Sequence, residues 1–254
     1  FLIRFRLSQE DFGSVIQKML PDISNLNVDL AKLDEKFFID PETCDQESKR
    51  DNPGSFLKTT KSREGRSTQV YNKKTYARLV AGCLVFNPGF DKVLMISSSK
   101  HKDKWIFPKG GIEFDEKDDF RKTARRETWE EAGVTGEIVR RLPTVEDHRF
   151  MKSKAVNKTF KGVDLTVDGD RIPRSEFHFY EMKVLELSQV WPEHEKRQRK
   201  WCTYEEAKHE LIRAKRPELL EALNTSKIAK NCTGTKLDQH SSKFLDAEPL
   251  KDDY

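Results

Sequence analysis

The sequence predicts an α/β sandwich, because strand-like segments come both before and after one strongly helical segment. A continuous apolar run from Leu79 to Phe86 is long enough for a buried strand, and a second apolar run follows over 93–96. Asn87-Pro88-Gly89 lies between the two runs and is typical of a turn, so the two strands are expected to form a hairpin. A helical pattern runs from about residue 118 to residue 132, and strand-like patterning returns over 177–184. We therefore expect the helix to pack on a sheet.

The remaining predicted elements are shorter. A strand is predicted over 105–107 and another over 199–203. Two helices are predicted after them, over 205–215 and 218–224. Residues 152–171 contain few large apolar side chains and are predicted to form an inserted loop.

The 254-residue chain is expected to hold one compact domain with polar extensions. Residues 1–61 are predicted to be an N-terminal extension and linker, with an amphipathic helix over 12–20. The domain itself is predicted over 62–229 and includes a basic insertion over 151–172. A polar tail is predicted over 230–254.

The composition excludes several classes of protein. Lys and Arg number 47 and Asp and Glu number 43, so the net charge of +4 gives no large field that would attract nucleic acid or membrane. No apolar run approaches the length of about 20 residues that spans a bilayer. The four cysteines lack the spacing of a metal site and fit a reducing compartment.

The predicted central helix carries a cluster of acidic residues. On a helix, Glu127, Glu130 and Glu131 are spaced i, i+3 and i+4, so their carboxylates share one face. Three such carboxylates repel one another, and a divalent cation would compensate this charge; hard oxygen ligands favour Mg²⁺ or Mn²⁺. The alternative is an exposed acidic face screened by Arg125 and Arg126, and the spacing alone leaves both interpretations open.

A glycine-rich segment before this helix completes a recognisable motif. Gly110 and Gly111 would let the backbone approach a metal-bound ligand closely. Together with Glu116 and the stretch Arg126-Glu127-Thr128-Trp129-Glu130-Glu131-Ala132-Gly133-Val134, they resemble the Nudix box, in which a glycine and a spaced glutamate precede Arg-Glu-apolar-x-Glu-Glu-x-Gly-apolar. Glu116 lies two residues further from Arg126 than in the family pattern, and this longer loop leaves the role of Glu116 open.

Nudix hydrolases cleave a nucleoside diphosphate, or another diphosphate, linked to a second group. Further segments resemble one branch, the diphosphoinositol polyphosphate phosphohydrolases, which also hydrolyse diadenosine polyphosphates; these segments are 78–83, 96–108 and 144–147. The segments 173–181 and 214–223 look like the budding-yeast members in particular. The resemblance covers about 62–228 and implies a Nudix α/β/α sandwich with a mixed sheet and a catalytic helix after a glycine-rich loop.

The resemblance also implies roles for individual residues. Glu127, Glu131 and a backbone carbonyl near Lys109 would hold Mg²⁺, Mn²⁺ or another divalent ion against the pyrophosphate. Glu130 would be the general base that deprotonates the attacking water, and Arg126 would orient the glutamates by ion pairing.

A substrate dense in phosphate also needs many cations and hydroxyl groups around it. For any single arginine, a surface cation is as good an interpretation as a substrate contact. The set of expected substrate-binding residues is Arg66, Arg78, Ser98, Ser99, Lys100, Gly110, Gly111, Arg174, Arg199 and Arg216.

The expected function is metal-dependent hydrolysis of phosphoanhydrides. The substrates would be diphosphoinositol polyphosphates, which would lose the β-phosphate, and diadenosine polyphosphates, with inorganic polyphosphate as a further substrate. One alternative is a sensor that binds phosphate-rich ligands without turnover, although the complete glutamate set argues against it. Another is an mRNA cap hydrolase that grips RNA through the basic residues of 152–161, a segment with few aromatic side chains for base stacking. Cysteine usage and the resemblance predict a cytoplasmic monomer, with the nucleus as a second location, and no membrane partner.

Overall fold

The computed structural model describes residues 35–44, 56–161, 163–165 and 171–228. The predicted helix over 12–20 and the predicted tail over 230–254 lie outside these residues. The described residues form ten strands joined in one sheet. The strands are β1 (Phe38–Ile39), β2 (Tyr71–Asn72), β3 (Arg78–Phe86), β4 (Val93–Ser97), β5 (Trp105–Ile106), β6 (Lys109–Gly111), β7 (Val134–Arg141), β8 (Val145–Glu146), β9 (Ser175–Leu187) and β10 (Arg199–Cys202).

Strand β3 is the centre of this sheet and explains its mixed character. It pairs in parallel with β9 from Arg78↔Ser175 to Phe86↔Lys183. It pairs antiparallel with β4 and with the glycine-containing strand β6. Because β3 is covered on both faces, its sequence is a continuous apolar run. The predicted hairpin of the first two strands is confirmed by the pairing of Phe86 with Val93.

The helices lie on both faces of the sheet, which confirms the predicted α/β/α sandwich. They are α1 (Pro41–Cys44), α2 (Phe120–Ala132), α3 (Ser153–Thr159), α4 (Tyr204–Arg213) and α5 (Pro217–Asn224). Phe120 at the start of α2 contacts His178 of β9, whereas Arg216 at the start of α5 lies over the neighbouring Phe177. Successive residues of a strand point to opposite faces, so α2 and α5 cover different sides. Within the described residues, no helix has the length and apolar character needed to cross a membrane.

Helix α2 is delimited by its two caps. The Asp119 side chain accepts a hydrogen bond from the Arg121 amide, so the helix begins at Phe120, two residues later than predicted. Gly133 ends it with a φ of +63°, a left-handed conformation that glycine adopts without strain. Before the cap, Phe114–Glu116 form a 3₁₀ turn, and the lengthened segment lies between this turn and Arg126.

The predicted inserted loop contains a helix, and this part of the prediction is wrong. Helix α3 packs its Val156, together with Phe160, against two tyrosines of the domain, Tyr71 and Tyr76. Phe38 of β1 joins the same apolar cluster. The insertion and the segment 35–44 therefore form a small second core beside the main one. The helix α3 was not predicted because only Val156 and Phe160 anchor it, and two apolar residues give little helical periodicity.

Candidate active site

The centre of the site is Arg126, which is buried and contacts three glutamates. Its Nη1 lies 2.6 Å from Oε1 of Glu127 and 3.4 Å from Oε2 of Glu130. Its Nη2 donates to the carbonyl oxygen of Gly111 at 3.2 Å, which connects the acidic helix to strand β6. The guanidinium thus fixes the carboxylates relative to the glycine-rich segment, as the predicted orienting role requires.

The third partner of Arg126 is Glu116, whose role the sequence left open. Arg126 donates to both oxygens of Glu116, from Nε at 2.8 Å and from Nη2 at 2.9 Å. Thr123 of α2 also donates its hydroxyl to Glu116. Glu116 therefore holds Arg126 in a bidentate pair, and the longer loop does not displace it.

Glu127 lies directly over the backbone of Gly110. A methyl group at position 110 would overlap the Glu127 carboxylate, so only glycine leaves room for it. Burial raises the pKa of Glu127 to about 8, although the Arg126 guanidinium opposes this shift. Gly110 thus serves the site by making space for a buried carboxylate.

We expect Gly110→Ala to lower activity with little loss of stability, because its Cβ forces only the far end of the flexible Glu127 side chain out of place. Activity should fall more than this stability loss implies, since the displaced carboxylate is at the centre of the site. Gly89→Ala, in the β3–β4 turn, is the matched control because its Cβ meets only the side chains of Asp91 and Asn87. Urea unfolding and turnover of both variants check the prediction, and equal activity in the two would contradict it.

Glu131 is held by two groups from other parts of the chain. Its Oε2 accepts a hydrogen bond from the Lys109 amide at 2.8 Å, and its Oε1 pairs with the Arg197 guanidinium. Arg197 also donates to the Ser97 carbonyl at 3.1 Å and pairs with Glu193. A backbone carbonyl near Lys109 was predicted to help hold the metal; the backbone group of Lys109 that contacts the acidic cluster is its N–H.

Glu130 has an asymmetric environment. Its Oε2 accepts from the Arg63 amide at 3.2 Å, in addition to the contact with Arg126. Its Oε1 is buried and has no hydrogen-bond partner among the described residues. Burial raises the pKa of Glu130, although the Arg126 charge opposes this shift. A buried carboxylate oxygen left free in this way can accept a proton or a ligand.

These contacts decide between the two interpretations of the acidic helix. Glu130 is 1% exposed and Glu131 is 7% exposed, so the alternative of a solvated acidic face is wrong. Arg125 is also buried. Burying several carboxylates on one helix is costly unless they are paired or bind a ligand, and here Arg126 and Arg197 provide pairing.

The hard oxygen donors and the free oxygen of Glu130 fit a divalent cation such as Mg²⁺. In the part of the chain that is described, no three Asp, Glu, His or Cys side chains converge as a finished metal site. Arg126 and Arg197 contact Glu127 and Glu131 instead.

Several predicted substrate-binding residues surround the acidic helix. Arg78 donates to Gln69 at 2.8 Å, and burial lowers its pKa to about 10, an effect to which the charge of Arg66 adds. Burial likewise lowers the pKa of Lys109, and the charge of Arg216 is the next cause. The charges of Arg66 and Arg216 thus act on Arg78 and Lys109, respectively.

The other predicted residues lie further out. Ser98, Ser99 and Lys100 follow β4, next to the Ser97 carbonyl that binds Arg197. The guanidinium of Arg199 donates to the carbonyls of Ala132 and Ser188 at 2.8 and 2.9 Å and stacks on a tryptophan ring.

Arg199 is therefore engaged in capping the C-terminal end of α2, a structural role the sequence did not predict. Arg174 donates to the carbonyl of Phe150 at 3.1 Å, beside the insertion.

Three participants of the site were not predicted from the sequence. Arg197 is one of several cations in the run 196–200, and nothing in the sequence distinguishes it. Gln69 carries no charge, yet it joins Arg78 to Glu113, to which it donates at 3.3 Å. The Arg63 amide is a backbone group and leaves no trace in a motif.

Comparison with known protein families matches residues 77–223 to the NUDIX domain. This match covers more than half of the chain, and the chain therefore belongs to the Nudix family.

Among its relatives, "Nudix hydrolase 21, chloroplastic" of Arabidopsis thaliana is 36% identical over 58% of this chain, which spans 65% of that protein. "Nudix hydrolase 16, mitochondrial" of the same plant is 39% identical over 58% of this chain and 78% of that protein. "Diphosphoinositol polyphosphate phosphohydrolase 2" of Rattus norvegicus is 30% identical over 72% of this chain and 91% of that protein.

Among solved structures, a C. elegans Ap4A hydrolase matches this chain with 20% sequence identity and a TM-score of 0.36. The match covers 59% of this chain and 95% of the C. elegans chain. A NUDIX hydrolase from Nitrosomonas europaea is 12% identical, with a TM-score of 0.43, over 59% of this chain and 87% of that one.

Proposed function

We propose that this Nudix protein hydrolyses the phosphoanhydride bonds of diphosphoinositol polyphosphates, releasing the β-phosphate, and those of diadenosine polyphosphates, with inorganic polyphosphate as a further substrate. The observation that carries the proposal is the buried Glu130 carboxylate with one free oxygen, on the same helix face as the buried Glu131 and the largely buried Glu127. The likeness to the rat diphosphoinositol polyphosphate phosphohydrolase supports the choice of substrate.

Mg²⁺ is the proposed cofactor, with Mn²⁺ or another divalent ion as a substitute. Glu127 and Glu131 would hold it together with a backbone carbonyl near Lys109, where the buried oxygen donors suit a hard cation. When bound, such an ion neutralises charge that develops on the pyrophosphate.

The protein's own groups would perform the remaining tasks. Glu130 Oε1 accepts a proton from water as the water oxygen forms a bond to phosphorus, and the bridging P–O bond breaks. The leaving group is the phosphate on the other side of the bridging oxygen; it keeps the electron pair of that bond and takes up a proton from solvent, to which Glu130 returns the proton it accepted. Arg126 fixes the positions of the glutamates relative to one another. The phosphates that do not react are held by Arg66, Arg78, Lys109 and Arg216, and this positioning lowers the entropic cost of the reaction.

The test is phosphate release from a diphosphoinositol pentakisphosphate with Mg²⁺ present, in the wild type and in Glu130→Gln. The amide cannot accept the proton, so kcat should fall by about 10²–10⁴-fold while binding is retained. Glu221→Gln, a half-exposed carboxylate on α5, is the control and should keep full activity. Binding without any wild-type turnover would favour a sensor instead. If the wild type neither binds nor hydrolyses this compound but hydrolyses capped RNA, the cap hydrolase is favoured.

A further inference from the structure

The segment of residues 58–64, here called the strap, crosses the acidic helix before the family domain begins at residue 77. It has no regular secondary structure, and contacts with side chains of other elements hold it in place. The indole N–H of Trp129 donates to the Thr59 carbonyl at 2.8 Å. The ammonium group of Lys58 lies 5.2 Å from the centre of the same indole ring and pairs with Glu186 of β9.

The C-terminal half of the strap reaches the proposed base. The Arg63 guanidinium binds Asp115 with three hydrogen bonds of 2.9–3.1 Å, which fixes it to the 3₁₀ turn before α2. This clamp places the Arg63 amide 3.2 Å from Oε2 of Glu130. The other donor to this oxygen, Nη1 of Arg126, is more distant at 3.4 Å and is shared with Glu127 at 2.6 Å. The strap thus supplies the shorter contact to Oε2 of Glu130.

A hydrogen bond to one oxygen of a carboxylate restricts the rotation of that carboxylate, because rotation bends and weakens the bond. Because Oε2 of Glu130 is bound, its Oε1 is kept in one direction, buried and without a partner among the described residues. Small displacements of a reacting group have large effects on rate. The ion pairs of Lys58 and Arg63 in the strap are about half exposed, so each one is weak individually.

We propose that the strap is a positioning element of the active site, and that the main-chain N–H of Arg63 sets the orientation of the catalytic carboxylate of Glu130. This inference rests on the proposed hydrolase function. It implies that the family domain over 77–223 is catalytically incomplete without the preceding segment, and that docking of the strap controls kcat.

The test compares variants that remove successive parts of this arrangement in the full chain. Asp115→Asn and Arg63→Ala break the clamp but keep the amide, and each should lower kcat by about two- to fivefold, the range for an exposed ion pair. Arg63→Pro also removes the N–H and should lower kcat at least about tenfold, with KM unchanged. Arg63→Lys should restore most of the activity. Lys74→Ala, which removes an exposed ammonium group that pairs with Asp40 and Glu42, is the control.

Hydrogen exchange of the Arg63 amide is the readout that does not depend on activity. Exchange should be slow in the wild type and in Lys74→Ala, and faster in Asp115→Asn. Because the Asp115 side chain is exposed, its replacement should leave the fold intact. Turnover is measured with diadenosine hexaphosphate and diphosphoinositol pentakisphosphate. An active wild type with unchanged kcat in Arg63→Pro and in Asp115→Asn would overturn the strap's role and leave the proposed function standing. A change in KM alone would also overturn it, since the strap would then contact substrate. A wild type inactive on both substrates would overturn the proposed function and the strap's catalytic role together.

Discussion

Replacing Arg126 with alanine is expected to lower the free energy of unfolding by about 3–5 kcal/mol and to abolish turnover. Arg126 contacts Glu116, Glu127 and Glu130, all of them nearly buried, and its own side chain is 6% exposed. Removing the guanidinium leaves these carboxylates without their common partner in a medium that solvates charge poorly. The loss should therefore exceed that of an ordinary ion pair several times over.

Arg213→Ala is the matched control, because Arg213 forms a comparable pair with Glu210 on the exposed side of α4. Its loss should be about 1 kcal/mol or less. Arg126→Lys should fold better than Arg126→Ala, since it keeps the charge, but it cannot form the bidentate pair with Glu116. Urea unfolding of the three variants measures these differences. A loss below about 1 kcal/mol for Arg126→Ala would show that water reaches the carboxylates and that the cluster is not buried in solution.

The elements that were predicted correctly are those whose signal is local. Strand β3 is buried on both faces, so its whole sequence is apolar, and α2 is delimited by a cap residue at each end. Strand β7 was not predicted, because it contains Gly136, charged residues and exposed positions. Strand β7 forms by pairing with β9, which lies about 45 residues later in the chain. A pairing between such distant segments leaves no pattern in the local sequence.

In the active site too, residues with a local sequence signal were predicted, whereas groups brought in from distant parts of the chain were not. Helical spacing was enough to place Glu127, Glu130 and Glu131 on one face, since three residues on one helix need no tertiary information. The groups that hold them come from elsewhere, such as Arg197 on Glu131 and the Arg63 amide on Glu130. The sequence therefore predicted the carboxylates and Arg126, their partner on the same helix. It missed Arg197 and the Arg63 amide, because one is a single cation in a basic run and the other is a backbone group.

The clustered carboxylates should make the free energy of unfolding depend on pH when no metal is bound. Burial raises the pKa of Glu127 to about 8 and raises the pKa values of Glu130 and Glu131 as well. Between about pH 5 and 7 the folded protein therefore holds protons that the unfolded chain has released. Unfolding then becomes more favourable as pH rises, so the free energy of unfolding should fall, by about 2 kcal/mol from one such group. Above pH 7 the lowered pKa of Lys109 acts in the opposite direction, so pH 5 to 7 is the window to measure.

A divalent cation should cancel this trend, because it binds the ionised carboxylates of the folded protein and not the unfolded chain. At a concentration about 100 times its dissociation constant, it would add about 2.7 kcal/mol to stability. Thermal unfolding at pH 5, 6 and 7, in EDTA and in excess Mg²⁺, tests both statements. The expected result is a melting temperature that falls with pH in EDTA and that Mg²⁺ raises most at pH 7. An Mg²⁺ effect equal at all three pH values would mean that the ion does not bind these carboxylates, because only their ionised forms are ligands.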